Sequence, residues 1–398
     1  MHDRQRSVGR RVLVDRISAN LRAKGVDLAK GALEDQIGQE IIEKTENRSV
    51  GYSTISMKAF RRDDARLIEV VVKEGRVHCL TLRPERGGPP TWQTAHIVIP
   101  TYPLEGRRVL ITGATSGLGR QLARWAVAGR SHVIIAGRSP ERLELTRQEL
   151  DRDFPHSPTE TLLLDLASFE NVRGAVSEAH DRWASLDVLV NNAGVMAIDP
   201  GLGPDGHDLT MTVNHLSPTL FSVGLLDLLE RGRSPRVTFT SSVMHWLSRS
   251  RPGLLGEPPS PPRRWVAYAR SKEANLTTSL ELSRRARDSH SPVAFLCAHP
   301  GVASTHLGQE GHGVSNWFMR AMAPRLLPSV EQGCRSLADA AFTDEYPAGS
   351  YVGPRAVLVG PSHLARPSSL ARDPRHARET LDRTLALVGT QLVFGSTT

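Results

Sequence analysis

Lysine is scarce in this chain of 398 residues: after Lys73 the only lysine is Lys272, and arginine supplies the other positive charges. Cysteine is scarce as well. The three cysteines lie far apart and form no Cys-x-x-Cys pair, which excludes a disulfide framework and a zinc site of that type. No apolar run reaches the roughly 18–20 residues that cross a bilayer, and the first residues have no apolar signal-sequence core. We therefore expect a cytoplasmic protein with no membrane span and no metal.

The net charge of +8 is distributed along the whole chain. Residues 1–100 contribute +5 and the remaining residues +3, and acidic side chains are interleaved with basic ones throughout. A protein that follows a phosphate backbone needs a sustained basic stripe, so we expect no nucleic-acid partner. With 39% apolar residues and moderate glycine and proline content, the composition indicates a globular protein with one or two domains.

Two patterns divide the chain near residue 104. From residue 105 onward, short apolar runs alternate with helical segments, which is typical of a parallel sheet covered by helices. Each apolar run is continuous, as expected for a strand that is buried on both faces. The fold class is therefore α/β, a doubly wound parallel sheet (Rossmann fold) over residues 105–398. The predicted strands are 108–112, 133–136, 161–164, 187–190, 237–240 and 293–298, and the predicted helices are 118–128, 140–150, 169–184, 209–229 and 268–287.

The second half of this domain contains two interruptions. Five prolines within 249–264 predict an exposed loop. The glycine-containing and apolar segment 306–327 fits either a mobile flap or a surface helix packed on the core. A helix at 331–341, an edge strand at 355–359 and a closing helix at 375–388 complete the predicted elements.

Residues 1–104 follow a different pattern and are predicted to form a small α+β domain. Apolar side chains recur every four residues between Ala29 and Ile41, which indicates an amphipathic helix. The runs 52–60, 66–73 and 76–83 indicate an antiparallel meander, and 95–99 is a candidate last strand. Roles in the substrate mouth, in dimerisation and in stabilising the larger domain all stay open, and a homodimer is one option for the assembly.

A glycine-rich loop follows the first predicted strand of the larger domain. It runs from Thr112 to Gly119 as Thr-Gly-Ala-Thr-Ser-Gly-Leu-Gly and opens a helix. Glycines at these spacings allow a tight turn and bring backbone N–H groups close to a diphosphate, whose charge the helix N-terminus favours. A plain turn is the alternative. The candidate cofactor-binding residues in this loop are Gly113, Thr115, Ser116, Gly117, Leu118 and Gly119.

The loop has the spacing TGxxxGxG, which resembles the short-chain dehydrogenase/reductase family. The resemblance covers roughly residues 105–390 and implies an NAD(P)-dependent oxidoreductase. Six further motifs recur in the family's order after the loop, and they are Asp165, Asn191-Asn192-Ala193-Gly194, Asn214, Ser242, Tyr268-x-x-x-Lys272 and Pro300-Gly301.

The resemblance also implies which residues touch the cofactor. Asp165, with Leu166 beside it, is expected to bond the adenine amino group; a residue that only caps a turn is the plainer interpretation of Asp165. The other implied contacts are Asn192, Ala193 and Gly194 at the adenine ribose, and Pro300, Gly301 and Thr305 beside the nicotinamide carboxamide.

The choice between the two nicotinamide nucleotides depends on the end of the second strand. An acidic side chain there would bond the ribose hydroxyls, whereas this strand ends Ala136-Gly137-Arg138-Ser139. A guanidinium can instead hold a 2′-phosphate through charge-assisted hydrogen bonds. We therefore expect NADP(H) in preference to NAD(H), with an ordinary surface role for Arg138 as the alternative.

Tyr268 and Lys272 are the candidate catalytic pair, and both also belong to the expected cofactor site. Four residues apart on a helix, their side chains share one face. A phenol is a poor acid/base at neutral pH, and a neighbouring ammonium favours its ionised form. The retention of a lysine at this position, in a region that otherwise uses arginine, argues against a plain solvated helix face.

Two more catalytic residues are implied by the resemblance. Ser242 would bond the substrate carbonyl as negative charge develops on its oxygen, with Ser241 as the fallback. Asn214 would hold a water that links the lysine to solvent. The adjacent cysteine and histidine at 297 and 299 lack further ligands, so we reject a metal site there.

Within the family, Asn214-His215-Leu216, Ser242-Val243-Met244-His245 and His299-Pro300-Gly301 look most like the retinol dehydrogenase-like and WW-domain oxidoreductase-like branch. The resemblance implies an NADPH-dependent interconversion of a carbonyl and an alcohol on a sizeable apolar substrate. A bacterial tailoring ketoreductase of secondary metabolism, for example on a polyketide, is one hypothesis. The alternatives are a non-catalytic dinucleotide-sensing or scaffold protein and an epimerase or dehydratase that uses the cofactor internally.

Overall fold

The structure is a computed structural model that describes residues 102–301, 330–356 and 360–395, together with the backbone of four strands between residues 54 and 93. The chain divides into two compact units, Met1–Tyr102 and Pro103–Thr398. Among the described residues, no helix combines the length and the hydropathy that crossing a bilayer requires.

The described part of the first unit is an antiparallel sheet in the order β1-β2-β3-β4. Its first three strands are the predicted meander. The predicted helix between Ala29 and Ile41 and the candidate strand at 95–99 lie outside the described residues. The strands are β1 (Thr54–Arg61), β2 (Arg66–Lys73), β3 (Arg76–Arg83) and β4 (Thr91–Gln93).

The second unit contains an eight-stranded sheet in the order β12-β11-β10-β9-β8-β5-β6-β7. Every neighbouring pair is parallel except β11 and β12, which are antiparallel. This arrangement confirms the predicted α/β class. The strands are β5 (Arg108–Thr112), β6 (His132–Gly137), β7 (Thr159–Leu163), β8 (Val188–Asn191), β9 (Arg236–Thr240), β10 (Ala294–Ala298), β11 (Tyr351–Pro354) and β12 (Ser362–Leu364).

Helices cover the sheet, and some of them begin at a side chain that accepts from a free backbone N–H group. The Ser139 and Ser168 hydroxyls accept from Arg142 N and Asn171 N at the starts of α2 and α3. The core between helices and sheet is apolar and includes Phe221, which is fully buried. The helices are α1 (Gly117–Ala128), α2 (Pro140–Asp153), α3 (Phe169–Arg182), α4 (Leu209–Met211), α5 (Ser217–Gly224), α6 (Leu226–Glu230), α7 (Arg264–Asp288), α8 (Val330–Phe342) and α9 (Pro374–Leu387).

The single helix predicted over 209–229 is wrong, because the chain there is three short helices with a π-helical turn, Thr212–Leu216, between α4 and α5. Pro218 has no N–H and therefore leaves the Asn214 carbonyl without its helical donor. At the second break, Gly224 lies against α3, where a Cβ would come within 2.8 Å of Val176 Cγ2.

The edge strand predicted at 355–359 is misplaced. Residues 355 and 356 form a turn, and the strands flank that region as β11 and β12, with 357–359 outside the described residues. The predicted loop 249–264 is largely exposed and ends where α7 begins. The segment 306–327 also lies outside the described residues.

The strand order reverses between β5 and β8, which are neighbours inside the sheet. After β5 the chain moves to β6 and β7 on one side and then returns to β8 on the other side of β5. Ligands of open α/β sheets bind beyond the carboxyl ends of the strands where the order reverses in this way. The candidate site therefore lies at the carboxyl ends of β5 and β8.

Candidate active site

A cleft of about 440 Å³ opens at this edge of the sheet. Its walls come from the loop after β5, the end of β6, the segment after β7 and the loop after β8. Thr112, the last residue of β5, lines the cleft. Twelve expected cofactor contacts line it as well, and they are Gly113, Thr115, Ser116, Gly117, Leu118, Gly119, Arg138, Asp165, Leu166, Asn192, Ala193 and Gly194.

The glycine loop is held so closely that side chains would not fit. Gly113 has φ +67°, and a Cβ on it would lie 2.9 Å from Ala193 Cα. A Cβ on Gly119 would lie 2.3 Å from the Gly113 oxygen, and Gly117 has φ +52°. The loop thus brings bare backbone to the start of α1, which fits a diphosphate at a helix N-terminus.

Thr112 fastens this loop to the segment after β8, a role that the sequence did not indicate. Its Oγ1 accepts from Asn192 N at 3.1 Å and from Ala193 N at 3.0 Å. The Asn192 side chain in turn donates to Thr112 O at 2.9 Å. The backbone and the side chain of Asn192 therefore both join the two walls of the cleft, which Asn192 also lines.

Two guanidinium groups stand at the end of the cleft beyond β6. Arg138 and Arg142 both line the cavity, and both are exposed. Arg142 was not singled out from the sequence. It lies in the first turn of α2, where the Ser139 cap begins the helix, so its position became evident only once the helix start was known.

Asp165 lies on the cleft wall and also caps a local turn. Its Oδ1 accepts from Ala167 N at 3.0 Å. One carboxylate has about four acceptor positions, so this bond leaves room for a ligand amino group.

Two of the catalytic candidates, Asn214 and Lys272, meet beside Gly194. A Cβ at this residue would lie 3.0 Å from Asn214 Oδ1 and 3.3 Å from Lys272 Nζ. Gly194 lines the cofactor cleft as well. The absence of a side chain here therefore lets Asn214 and Lys272 approach the cleft, although neither they nor Tyr268 and Ser242 line it.

Tyr268 and Lys272 share one face of α7, with Nζ 5.6 Å from the centre of the phenol ring. Burial raises the pKa of Tyr268 to about 12, and a hydrogen bond with Ser242 partly opposes this rise. Burial also lowers the pKa of Lys272 to about 8. The sequence predicted that the ammonium lowers the pKa of the phenol, whereas burial raises this pKa and keeps the phenol protonated.

Lys272 and the two serines occupy different positions around the end of β9. Lys272 Nζ donates to Thr240 O at 3.1 Å. Ser241 is buried and its hydroxyl donates to Lys272 O at 2.7 Å. Ser242 is half-buried and hydrogen-bonds the phenol. The structure therefore brings Ser242 to Tyr268 and uses Ser241 to hold the helix.

Asn214 projects from the π-helical turn toward the loop after β8. Its Oδ1 accepts from Val195 N at 2.7 Å, and its Nδ2 donates to Val195 O at 2.9 Å and to Ser271 Oγ at 3.0 Å. The side chain is 1% exposed. Asn214 thus ties the Gly194 segment to α7.

The remaining predicted contacts lie elsewhere. Pro300 and Gly301 follow β10 and do not line the cleft; Gly301 has φ +70° and donates to His299 Nδ1 at 3.2 Å. Thr305 lies outside the described residues. Within residues 102–301, 330–356 and 360–395, no group of three or more His, Cys, Asp or Glu side chains is arranged to hold a metal ion.

These features define a nicotinamide-dinucleotide enzyme, and a family comparison agrees. The model of the family described as short chain dehydrogenase matches residues 107–312, just over half of the chain. The chain belongs to the short-chain dehydrogenase/reductase family of oxidoreductases, which bind a nicotinamide dinucleotide.

Individual relatives indicate which branch of the family the chain belongs to. DnrU of Streptomyces sp. (strain C5), named for daunorubicin C-13 ketoreductase activity, is 34% identical over 263 residues, 65% of this chain and 88% of DnrU. Human retinol dehydrogenase 11 is 28% identical over 73% of this chain and 88% of its own. A crystal structure from Mycobacterium paratuberculosis aligns with TM-score 0.61 and 31% identity over 74% of this chain and 97% of its own. The chain is thus a member of the retinol dehydrogenase-like branch.

Proposed function

We propose that this protein is an NADPH-dependent oxidoreductase that interconverts a carbonyl and an alcohol on a sizeable apolar substrate. One observation carries the proposal: Gly194 borders the cofactor cleft and lies directly against Asn214 and Lys272. Lys272 Nζ lies in turn 5.6 Å from the centre of the Tyr268 ring, so Lys272 links the proposed proton donor to the cleft for a hydride source.

The proposed preference for NADPH is supported by the charge of the cleft end. Arg138 and Arg142 contribute two cations there, and no carboxylate lines the cavity at the end of β6. A 2′-phosphate carries the negative charge that guanidinium groups hold best, through paired hydrogen bonds. NADH carries a hydroxyl in place of that phosphate and therefore offers the two guanidinium groups no negative charge at this position.

The glycine loop and the other residues that line the cleft would hold the nucleotide, which would supply the hydride for the substrate carbon. On the protein side, Tyr268 donates its proton to the carbonyl oxygen, since burial keeps the phenol protonated until that step. The Ser242 hydroxyl, which bonds the phenol, orients the carbonyl oxygen and stabilises the charge that develops on it. Lys272, held by Thr240 O, provides a positive charge close to the phenol and favours its ionised form once the proton has left.

An apolar substrate is supported by the surroundings of Tyr268. Trp265 packs edge-to-face on the phenol, with ring centres 6.3 Å apart. Trp246 and Leu247, in the short helix after Ser242, are exposed at 53% and 68%. Together with the DnrU relative, which is named for a ketoreductase acting on daunorubicin, these apolar side chains favour a sizeable apolar ketone, for example a polyketide. A reducing cytoplasm, also part of the proposal, is compatible with the free buried thiols of Cys297 and Cys334.

The proposal is tested by titrating the protein with NADPH and NADH, followed by cofactor oxidation against a panel of aromatic and aliphatic ketones. We expect tighter binding of NADPH and faster oxidation with bulky aromatic ketones. Product analysis then separates net reduction from epimerisation or dehydration, since only net reduction consumes NADPH in proportion to alcohol formed. Binding without any turnover across the panel would favour a dinucleotide-sensing protein.

A further inference from the structure

The π-helical turn leaves a carbonyl that needs a partner. Pro218 cannot donate to Asn214 O, which is the bond an unbroken helix would make. Asn275 on α7 supplies the missing donor, because its Nδ2 donates to Asn214 O at 2.9 Å. The same Nδ2 donates to Thr240 O at 3.0 Å, the carbonyl that also accepts from Lys272 Nζ. One amide group therefore holds the backbone on which both Asn214 and Lys272 depend.

The orientation of Asn275 is set by a second layer of buried groups. Its Oδ1 lies 3.1 Å from His215 Nδ1, and His215 Nε2 lies 2.8 Å from Thr384 Oγ1 on α9. Asn275 is 2% exposed, and His215 and Thr384 are fully buried. Water therefore has no ready access to replace any member of this chain of hydrogen bonds.

The proton positions follow from counting donors. Asn275 uses both N–H bonds on the two carbonyls, so its Oδ1 needs a donor from His215. Burial lowers the pKa of His215 to about 4, so the ring is neutral and carries one proton. That proton is then on Nδ1, so Nε2 accepts. The Thr384 hydroxyl lies 2.8 Å from both Nε2 and Thr380 O, and this tautomer requires that its single proton goes to Nε2. The direction of donation runs from Thr384 through His215 to Asn275.

We propose that His215, held by Thr384 of the C-terminal helix, is a positioning residue for Asn214 and Lys272. Neither His215 nor Thr384 touches the cleft. Their effect is transmitted by the Asn275 amide, which would rotate away from the two carbonyls if its Oδ1 lost the imidazole. The Asn214 side chain, and with it the Val195 amide that it holds, would then lose its fixed place. The inference rests on the proposed function for its consequence on turnover.

The test compares two threonines on one helix. In Thr384→Val the shape is kept and the hydroxyl is lost; Thr380→Val, one turn earlier and also buried, is the matched control, since its hydroxyl faces His376. We expect Thr384→Val to lower kcat about fivefold to tenfold, the cost of one hydrogen bond, with KM and the NADPH Kd unchanged. Thr384→Ser, which retains the hydroxyl, should recover the rate, and Thr380→Val should stay within about twofold of the unmodified protein.

A second readout does not depend on turnover. Hydrogen exchange of the Val195 amide, which donates to Asn214 Oδ1, should be faster in Thr384→Val than in Thr380→Val. Equal exchange and equal kcat in the two valine variants would overturn the positioning role. If the unmodified protein reduced no ketone, the proposed function would fail, but the exchange comparison would still decide whether His215 and Thr384 position Asn214.

Discussion

Gly194→Ala is the sharpest test of how the cleft meets the catalytic residues. The added Cβ would lie 3.0 Å from Asn214 Oδ1 and 3.3 Å from Lys272 Nζ, closer than ordinary van der Waals contact. Lys272 Nζ must then move by a few tenths of an ångström and weaken its 3.1 Å bond to Thr240 O. A hydrogen bond to a charged group contributes about 1.5–3 kcal/mol, so we expect kcat to fall about tenfold to a hundredfold.

The matched control for this substitution is Gly174→Ala on α3. A Cβ there meets nothing within 4 Å, so the change should leave kcat unaltered and stabilise the helix slightly. The assay is NADPH oxidation with a ketone substrate, with Tm and NADPH affinity measured alongside. Equal kcat values in the two alanine variants would refute the idea that Gly194 provides the space in which Asn214 and Lys272 operate.

Three further predictions follow from the same site. Arg138→Ala and Arg142→Ala should each weaken NADPH by about 1–2 kcal/mol and NADH by much less, measured by titration; equal losses for both nucleotides would remove the 2′-phosphate contact. The folded-state pKa of Lys272 is lowered to about 8, so between pH 8 and 10 the unfolded chain binds more protons and the free energy of unfolding should gain a rising contribution. Denaturant titration should show that Lys272→Met loses this rise; an unchanged pH slope would mean that the amine is not desolvated. Ser242→Ala should lower kcat about a hundredfold, whereas Ser241→Ala should mainly cost about 1 kcal/mol of stability; the reverse ranking in paired rate and unfolding measurements would reassign the serines.

The strands and the site motifs were predictable because each is a local pattern. The continuous apolar runs of β5 and β6 are buried on both faces. The glycine loop needs glycine because its backbone makes contacts too close for a Cβ, and the spacing of the glycines in the sequence predicts such a loop. Ser242 and Tyr268 were assigned to one catalytic set only through motif order, and the hydrogen bond between them is a finding of the structure.

The features that escaped prediction depend on tertiary contacts. Most of 209–229 is helical, but Pro218 removes one backbone donor and a side chain from α7 replaces it. Arg142 became a cleft residue only through the start of α2, and Thr112 only through its partners 80 residues away. The raised pKa of Tyr268 results from burial that no local pattern reports.

The central claim is that the Tyr268 phenol is the proton donor beside the nucleotide cleft. The most direct measurement compares Tyr268→Phe with the unmodified protein in single-turnover oxidation of NADPH by a ketone. Removing a general acid should slow this step about 10²- to 10⁴-fold, while the NADPH Kd stays within about twofold. A phenylalanine variant that oxidises NADPH at a rate close to that of the unmodified protein would contradict the account.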